Sequence, residues 1–398
     1  MATKHTDKTP GSWEEHSISA FGGHLLDIHL SAVKAVAGGD TSQQLADLGV
    51  TDVEQLVALA NSKEGLDNLA ATLGIDKKEI EHLAEAGKKA LPASLVAELS
   101  HPLPAQFSLG VLEPTEEMRA EAEAVSEGFE AVALPPSVNL ISRFNPIRSQ
   151  GQRGTCVAFA LTAINEYFQR FGRGRPAIDL SEQHLYHECK LADGSPGACG
   201  TWQRVGASVL RNRGECREIV WAYNPNLPCN NNGVMPANAR ADAANYKATL
   251  VAINPPTNVN AIKSYLSVRR PTGISIPVFN SWYSSPETKR SGRITMPLTG
   301  DAQVGGHAIC LVGYQDSPSA PGGGYFILRN SWGAAWAYQS PYGQGYGTIP
   351  YQYIANYNWE AYTLSGAVGE DEPTPTPKEE VERTITITLR SNAHLIIE

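Results

Sequence analysis

The hydrophobic rhythm of the chain changes several times, and each change marks a boundary. Up to about Pro92 apolar residues recur at helical spacing. Leu45, Leu48 and Val50 follow Asp40 or Thr41, either of which can cap a helix. Val53, Leu56, Val57 and Leu59 continue an apolar face, and Leu66, Leu69 and Leu73 begin another. Leu48-Gly49-Val50-Thr51-Asp52 is echoed by Leu73-Gly74-Ile75-Asp76-Lys77; in each, glycine ends one helix and Thr or Asp starts the next. Residues 1–92 thus read as a helical unit with its core at about 40–92. Residues 93–133 read as a connector, with Pro102, Pro104 and Pro114 and one acidic helix at roughly Thr115 to Glu130. A larger domain spans 134–368, and an acidic Pro/Thr linker spans 369–380. In 381–398, Thr384, Thr386 and Thr388 alternate with Ile385, Ile387 and Leu389, the period of a single strand.

Composition narrows the classes. The chain has 398 residues, 42% hydrophobic and 18% charged, with 36 glycines and 26 prolines, which points to a loop-rich fold with an ordinary core. A net charge of −9 supplies no basic field for nucleic acid or anionic lipid. No apolar run is long enough to span a membrane, so no membrane partner is expected. The first twenty residues lack a basic and then apolar leader, and six cysteines are too few for a disulfide scaffold, so a cytoplasmic location is expected. The tight helix–Gly–helix turns resemble a helix-hairpin-helix unit, and more closely small bacterial helical domains of that type. Many such units bind DNA through the turn. Between Asp40 and Ala90, however, ten acidic residues face five basic ones, which favours protein interaction or regulation over nucleic acid. His24 and His29 flank Asp27, but an i, i+5 spacing does not stack on one helical face, so no metal is assigned there.

The chemistry gathers in three places. Ser149-Gln150-Gly151-Gln152-Arg153-Gly154-Thr155-Cys156 is a glycine-rich loop leading into an apolar stretch. Phe159, Ala160, Ile164 and Phe168 share a helical face, so Cys156 sits at or near a helix N-terminus, where backbone N–H groups favour a thiolate. Gln150, six residues earlier, can turn its amide to the same point and form an oxyanion hole with the Cys156 N–H. Gly305-Gly306-His307-Ala308-Ile309 places an imidazole on an apolar strand. Tyr325 to Gly333 is a strand ending in Asn330-Ser331-Trp332, where Asn330 can accept the histidine N–H and Trp332 can shield that bond.

Gln150, Cys156, Gly306-His307-Ala308 and Asn330-Ser331-Trp332-Gly333 with Trp336 together resemble the papain family of cysteine peptidases. Leu180-Ser181-Glu182-Gln183 and Gly345-Tyr346-Gly347 extend the match, and Cys199-Gly200-Thr201 with Trp221-Ala222-Tyr223 resembles its bacterial branch. The resemblance covers about Leu134 to Leu364. It implies an α+β fold of two lobes, one mainly helical from Cys156 and one β-barrel-like carrying His307 and Asn330, with a cleft between them. It also implies a thiolate–imidazolium pair of Cys156 and His307, oriented by Asn330, with Gln150 in the oxyanion hole. Gly200, Thr201, Gly306 and Trp332 are the expected substrate contacts, a peptide or protein is the expected substrate, and no metal or organic cofactor is needed.

The departures are specific. Where the family carries a disulfide-bonded cysteine three residues before the nucleophile, this chain has Arg153, so Cys189 has lost that partner. Cys189, Cys199, Cys216 and Cys229 can pair in three ways or stay reduced, and reduced thiols are the expectation. Val157 replaces the usual tryptophan, and Ser317 to Gly324 reads as a longer surface hairpin. His184 and His187 are expected to be partly exposed, and Cys310 to be packing. The N-terminal region lacks the family's usual prosegment. Either its connector, including Phe107-Ser108-Leu109-Gly110-Val111-Leu112, lies in the cleft as a pseudo-substrate, or the region recruits a partner and leaves the site free; recruitment is the favoured expectation. A papain-fold binding module and an amide-transferring enzyme are the competing functional readings.

Overall fold

A computed structural model describes residues 39–101, 107–123, 133–228, 230–366 and 368–369. The first residues, with His24 and His29, lie outside the described residues, as do Cys229 and the segment 381–398.

Among the described residues, five helices form the N-terminal module: α1 (Gly39–Asp47), α2 (Val53–Ala60), α3 (Lys63–Leu73), α4 (Lys77–Ala90) and α5 (Ala93–Leu99). Their boundaries are chemical. Asp52 caps α2 by accepting the Gln55 N–H at 2.8 Å, while the Gln55 side chain accepts the Thr51 N–H. Ser62 and Asp76 cap α3 and α4, and α3 stops at Gly74, whose φ of +67° suits a residue without Cβ. Asp40 lies within the first turn of α1 instead of capping it. Leu45, Val50, Leu56, Leu69, Ile80 and Leu99 meet in one core. The module therefore reaches past Pro92, because α5 contributes Leu99 to that core.

One residue of this core comes from far along the chain. Leu298 is buried among the module's leucines, and the segment around it is stitched to the module. The Met296 N–H donates to Leu48 O at 2.8 Å, and the Thr299 N–H to Thr72 Oγ1 at 2.8 Å. Arg293 pairs with the buried carboxylate of Asp52 and with Glu287.

After a short helix α6 (Glu116–Glu123), the larger domain runs through β1 (Ser137–Asn139), α7 (Cys156–Phe171), α8 (Glu182–Ala192), α9 (Gln203–Asn212), α10 (Ala239–Ala243) and β2 (Leu250–Ala252). It continues with α11 (Val259–Ser267), β3 (Thr272–Phe279), α12 (Asn280–Tyr283), α13 (Pro286–Ser291) and β4 (Gln303–Asp316). It closes with β5 (Gly324–Arg329), β6 (Tyr346–Pro350), α14 (Tyr351–Tyr357) and β7 (Glu360–Leu364). The seven strands form one antiparallel sheet in the order β2-β7-β3-β4-β5-β6, with β1 also pairing to β4. Helices α7 to α9 pack as a second lobe, so the architecture is the expected α+β pair.

Strand β4 explains why its sequence is an unbroken apolar run. Ala308, Cys310 and Val312 enter the core shared with α7, while Ile309, Leu311 and Tyr314 enter the core on the other face. Helix α7 is buried on nearly every side, a central helix and not a half-exposed one. Its buried polar groups are paired: Glu166 with Arg148 at 2.6 Å, and Asn165 with Glu215 at 3.0 Å. The Ser317 to Gly324 segment is the expected hairpin connection, closed by the Ser317 N–H on Gly323 O.

Candidate active site

The groups singled out from sequence converge where the two lobes meet. Cys156 opens α7 behind Thr155, whose hydroxyl bonds Tyr223 OH at 2.8 Å and makes no cap bond to the helix. His307 stands on β4 opposite Ile276 of β3. Its Nε2 bonds Asn330 Oδ1 at 2.8 Å, and Trp332 stacks over the ring at 4.5 Å, with Trp336 edge-on behind. The His307 Nδ1 is buried and carries no partner. The Cys156 thiol lies within hydrogen-bond reach of the Ala308 backbone, one residue from the imidazole.

Gln150 is fully buried and held from every side. Ser331 Oγ donates to its Oε1 at 2.6 Å, and Tyr223 OH donates to its backbone carbonyl at 2.8 Å. Its Nε2 donates to Arg153 O at 2.7 Å and to Ser108 O at 2.9 Å. The roles of Ser331 and Tyr223 escaped the sequence reading. Ser331 lay within the Asn330-Ser331-Trp332 motif, whereas nothing local links Tyr223 to residue 150. In the Ser-Glu-Gln motif, Glu182 faces Arg148 at 3.1 Å, and burial pushes its carboxyl up to about 8 against that pull.

The Ser108 contact belongs to a strap that fills the cleft. The Gly110 and Val111 N–H groups both donate to Gly306 O at 3.1 Å, Thr201 N–H donates to Gly110 O, and Leu112 N–H donates to Thr201 O. Val111 pairs with Thr201 in a parallel bridge. Phe107 stacks on Trp332 at 4.6 Å and 6°, and Tyr283 OH donates to its carbonyl. Two glycines make the fit possible. A Cβ on Gly306 would stand 2.6 Å from Val111 O, and one on Gly110 would stand 2.2 Å from Gly154 O. Gly200, Thr201, Gly306 and Trp332, the expected substrate contacts, all touch the strap. Of the two expected arrangements, the connector lies along these contacts, as the pseudo-substrate alternative has it.

Burial bears on the protonation of the pair. The helix N-terminus argues for a low thiol pKa, but burial outweighs the backbone N–H groups and pushes Cys156 up to about 11. Burial likewise drives His307 down to about 4, against the Asn330 hydrogen bond. Burial thus favours the neutral thiol and the neutral imidazole over the expected ion pair in this arrangement.

Other expectations fare unevenly. Cys199 is disulfide-bonded, while Cys189 and Cys216 are free and buried, so the fully reduced set is not found. Cys310 is free, buried packing. His184 is fully buried beside Trp221 and not partly exposed, because α8 packs between α7 and α9; His187 is half-buried. Among the described residues no group of His, Cys, Asp and Glu is arranged to hold a metal ion, and no helix is long and apolar enough to cross a membrane.

These features define a thiol peptidase scaffold. The family profile described as papain family cysteine protease matches residues 134–356, more than half of the chain. The chain belongs to the papain family of cysteine peptidases. Among its relatives, an uncharacterized peptidase C1-like protein of Acanthamoeba polyphaga mimivirus is 27% identical over 57% of this chain and 69% of its own length. Cathepsin J of Rattus norvegicus is 30% identical over 48% of this chain, and the thiol protease aleurain of Arabidopsis thaliana is 27% identical over 48%. The chain spans about half the length of these two, 54% and 50%. Xylellain, a cysteine protease from Xylella fastidiosa, shares the fold with a TM-score of 0.51 at 24% identity, covering 66% of this chain and 97% of that one.

Proposed function

We propose that the chain hydrolyses peptide bonds with Cys156 as nucleophile and that residues 107–112 hold it in an off state. The observation that carries the first part is the His307 Nε2 to Asn330 Oδ1 bond under Trp332, which leaves Nδ1 without a partner, while the thiol is within reach of the adjacent Ala308 backbone. With the strap out and water admitted, burial no longer penalises charge. Nδ1 takes the thiol proton, and the thiolate attacks the peptide carbonyl. Gln150 Nε2 and the backbone N–H at the start of α7 receive the oxyanion, in the position where Nε2 now meets Ser108 O. The imidazolium then gives its proton to the leaving amine, and water hydrolyses the thioester.

The second part is supported by the strap's backbone bonds, which occupy the donors and acceptors an extended peptide would use: Gly306 O, the Thr201 N–H and O, and the Gln150 amide. Intramolecular regulation by the N-terminal region is therefore preferred to recruitment of a partner. Intact-mass analysis after a thiol-directed epoxide tests both parts, with Cys156→Ala as control. One adduct that is slow on the parent chain, fast after Val111→Asp and absent in Cys156→Ala is expected. No adduct in either strap state moves the assignment to a papain-fold binding module. Added amines that divert the product from acid to amide would identify transfer in place of hydrolysis.

A further inference from the structure

We infer that Arg153 is a positioning residue for the oxyanion loop, a buried guanidinium standing where the papain family's common pattern has a disulfide-bonded cysteine. The inference rests on the peptidase reading above and deepens it. Arg153 is 1% exposed. Its Nη1 donates to Gln183 Oε1 on α8 at 2.7 Å and to Asn224 O at 3.0 Å. The guanidinium lies between two rings, 5.1 Å from the centroid of Tyr223 and 5.7 Å from that of Tyr186. Its Nε and Nη2 are buried without partners. A hydrophobic side chain of similar volume would avoid that desolvation cost, so stability alone does not account for a guanidinium here.

The geometry shows what this residue holds. The Arg153 carbonyl accepts both the Thr155 N–H at 2.8 Å and Gln150 Nε2 at 2.7 Å, so it aims the amide that faces the reacting carbonyl. The ring packed on the guanidinium, Tyr223, also donates to Gln150 O and bonds the Thr155 hydroxyl. Both ends of the loop 150–155 are thereby tied to one buried side chain and its aromatic partner. This gives Gln183 of the Ser-Glu-Gln motif a task as well: it accepts from Arg153 and donates to Asn232 O at 2.7 Å, linking the loop to the wall of the helical lobe.

The test uses the full chain with Val111→Asp as the open parent, carrying Arg153→Met, Arg153→Lys or Gln183→Ala. Two reactions separate positioning from collapse. Peptide amide hydrolysis needs the oxyanion hole, whereas iodoacetamide alkylation of Cys156 needs only the thiolate. Arg153→Met is expected to lower kcat by about 30-fold or more, with KM and the alkylation rate within about threefold. Arg153→Lys, which keeps charge but not the planar face packed on Tyr223 and Tyr186, is expected to recover less than half of that loss on a logarithmic scale, and Gln183→Ala to lose about fivefold. An unchanged kcat in Arg153→Met overturns the inference, as does alkylation falling in step with kcat or full rescue by lysine. A parent that alkylates yet cleaves no peptide refutes the peptidase reading instead. Arg153 is then read by affinity for a peptide aldehyde, whose thiohemiacetal oxyanion uses the same donors, with about a tenfold loss expected and an unchanged affinity counting against it.

Discussion

Two of the contacts between the N-terminal region and the catalytic domain are built differently. At the cleft, the strap 107–112 is held largely by backbone hydrogen bonds to Gly306, Thr201 and Gln150, with Phe107 and Val111 as side-chain anchors. At the clamp, Leu298 completes the helical core, and Arg293 faces a carboxylate that is fully buried. Backbone bonds in a groove exchange readily for bonds to water or to another peptide, each worth about 1 kcal/mol net. A shared apolar core has no such substitute. The difference teaches that exchangeable bonds dominate one attachment and a shared core the other, so the proposed release is expected at the strap and not at the clamp.

The largest effect should fall on the clamp. Leu298→Ala is expected to destabilise the module by about 3 kcal/mol, and Asp52→Ala by about the same through the stranded Arg293, while Cys156 labelling stays slow. Chemical denaturation followed by tryptophan-independent circular dichroism reads the first, and epoxide labelling the second. Fast labelling in Leu298→Ala would collapse the distinction. Next comes the strap: Phe107→Asp with Val111→Asp should raise the labelling rate about 100-fold with little change in the denaturation midpoint.

The pH response is smaller and has a definite sign. His307 is held near 4 under the strap against about 6.5 when free, so the open form binds the extra proton below pH 6.5. Closure is therefore weakened as pH falls through that window. Cys156, held near 11 against about 8.5 when free, keeps its proton in the closed form, so closure weakens again above pH 8.5. Strap opening, read by hydrogen exchange at 107–112, is expected to rise about tenfold from pH 7.5 to 5.5. A flat profile would show that the two groups are not sealed by the strap. The smallest effect is Tyr283→Phe, which removes one donor to Phe107 O and should speed labelling about fivefold.

How much of this was legible in the sequence depends on distance along the chain. Gln150, Cys156, His307 and Asn330 stand in short motifs, each with its own local geometry, and the structure bonds His307 to Asn330 and Gln150 to Ser331. The apolar hexapeptide 107–112 was visible, but its bonds run to residues about 90 and 200 positions away, where a single sequence offers no pairing signal. Arg153 was visible as a departure, yet its acceptor Asn224 lies 71 residues on. For the thiol the helix N-terminus is local and readable, whereas the burial that pushes its pKa up comes from a core assembled from distant segments.

Leu298 also orders events in time. Residues 40–99 leave the ribosome with their core incomplete, and the missing side chain follows roughly 200 residues later, tens of seconds at ordinary rates of synthesis. The helical bundle therefore matures together with the segment that leads into β4 and His307. A nascent chain has no finished active site before it has a finished module, and the strap between them is already made.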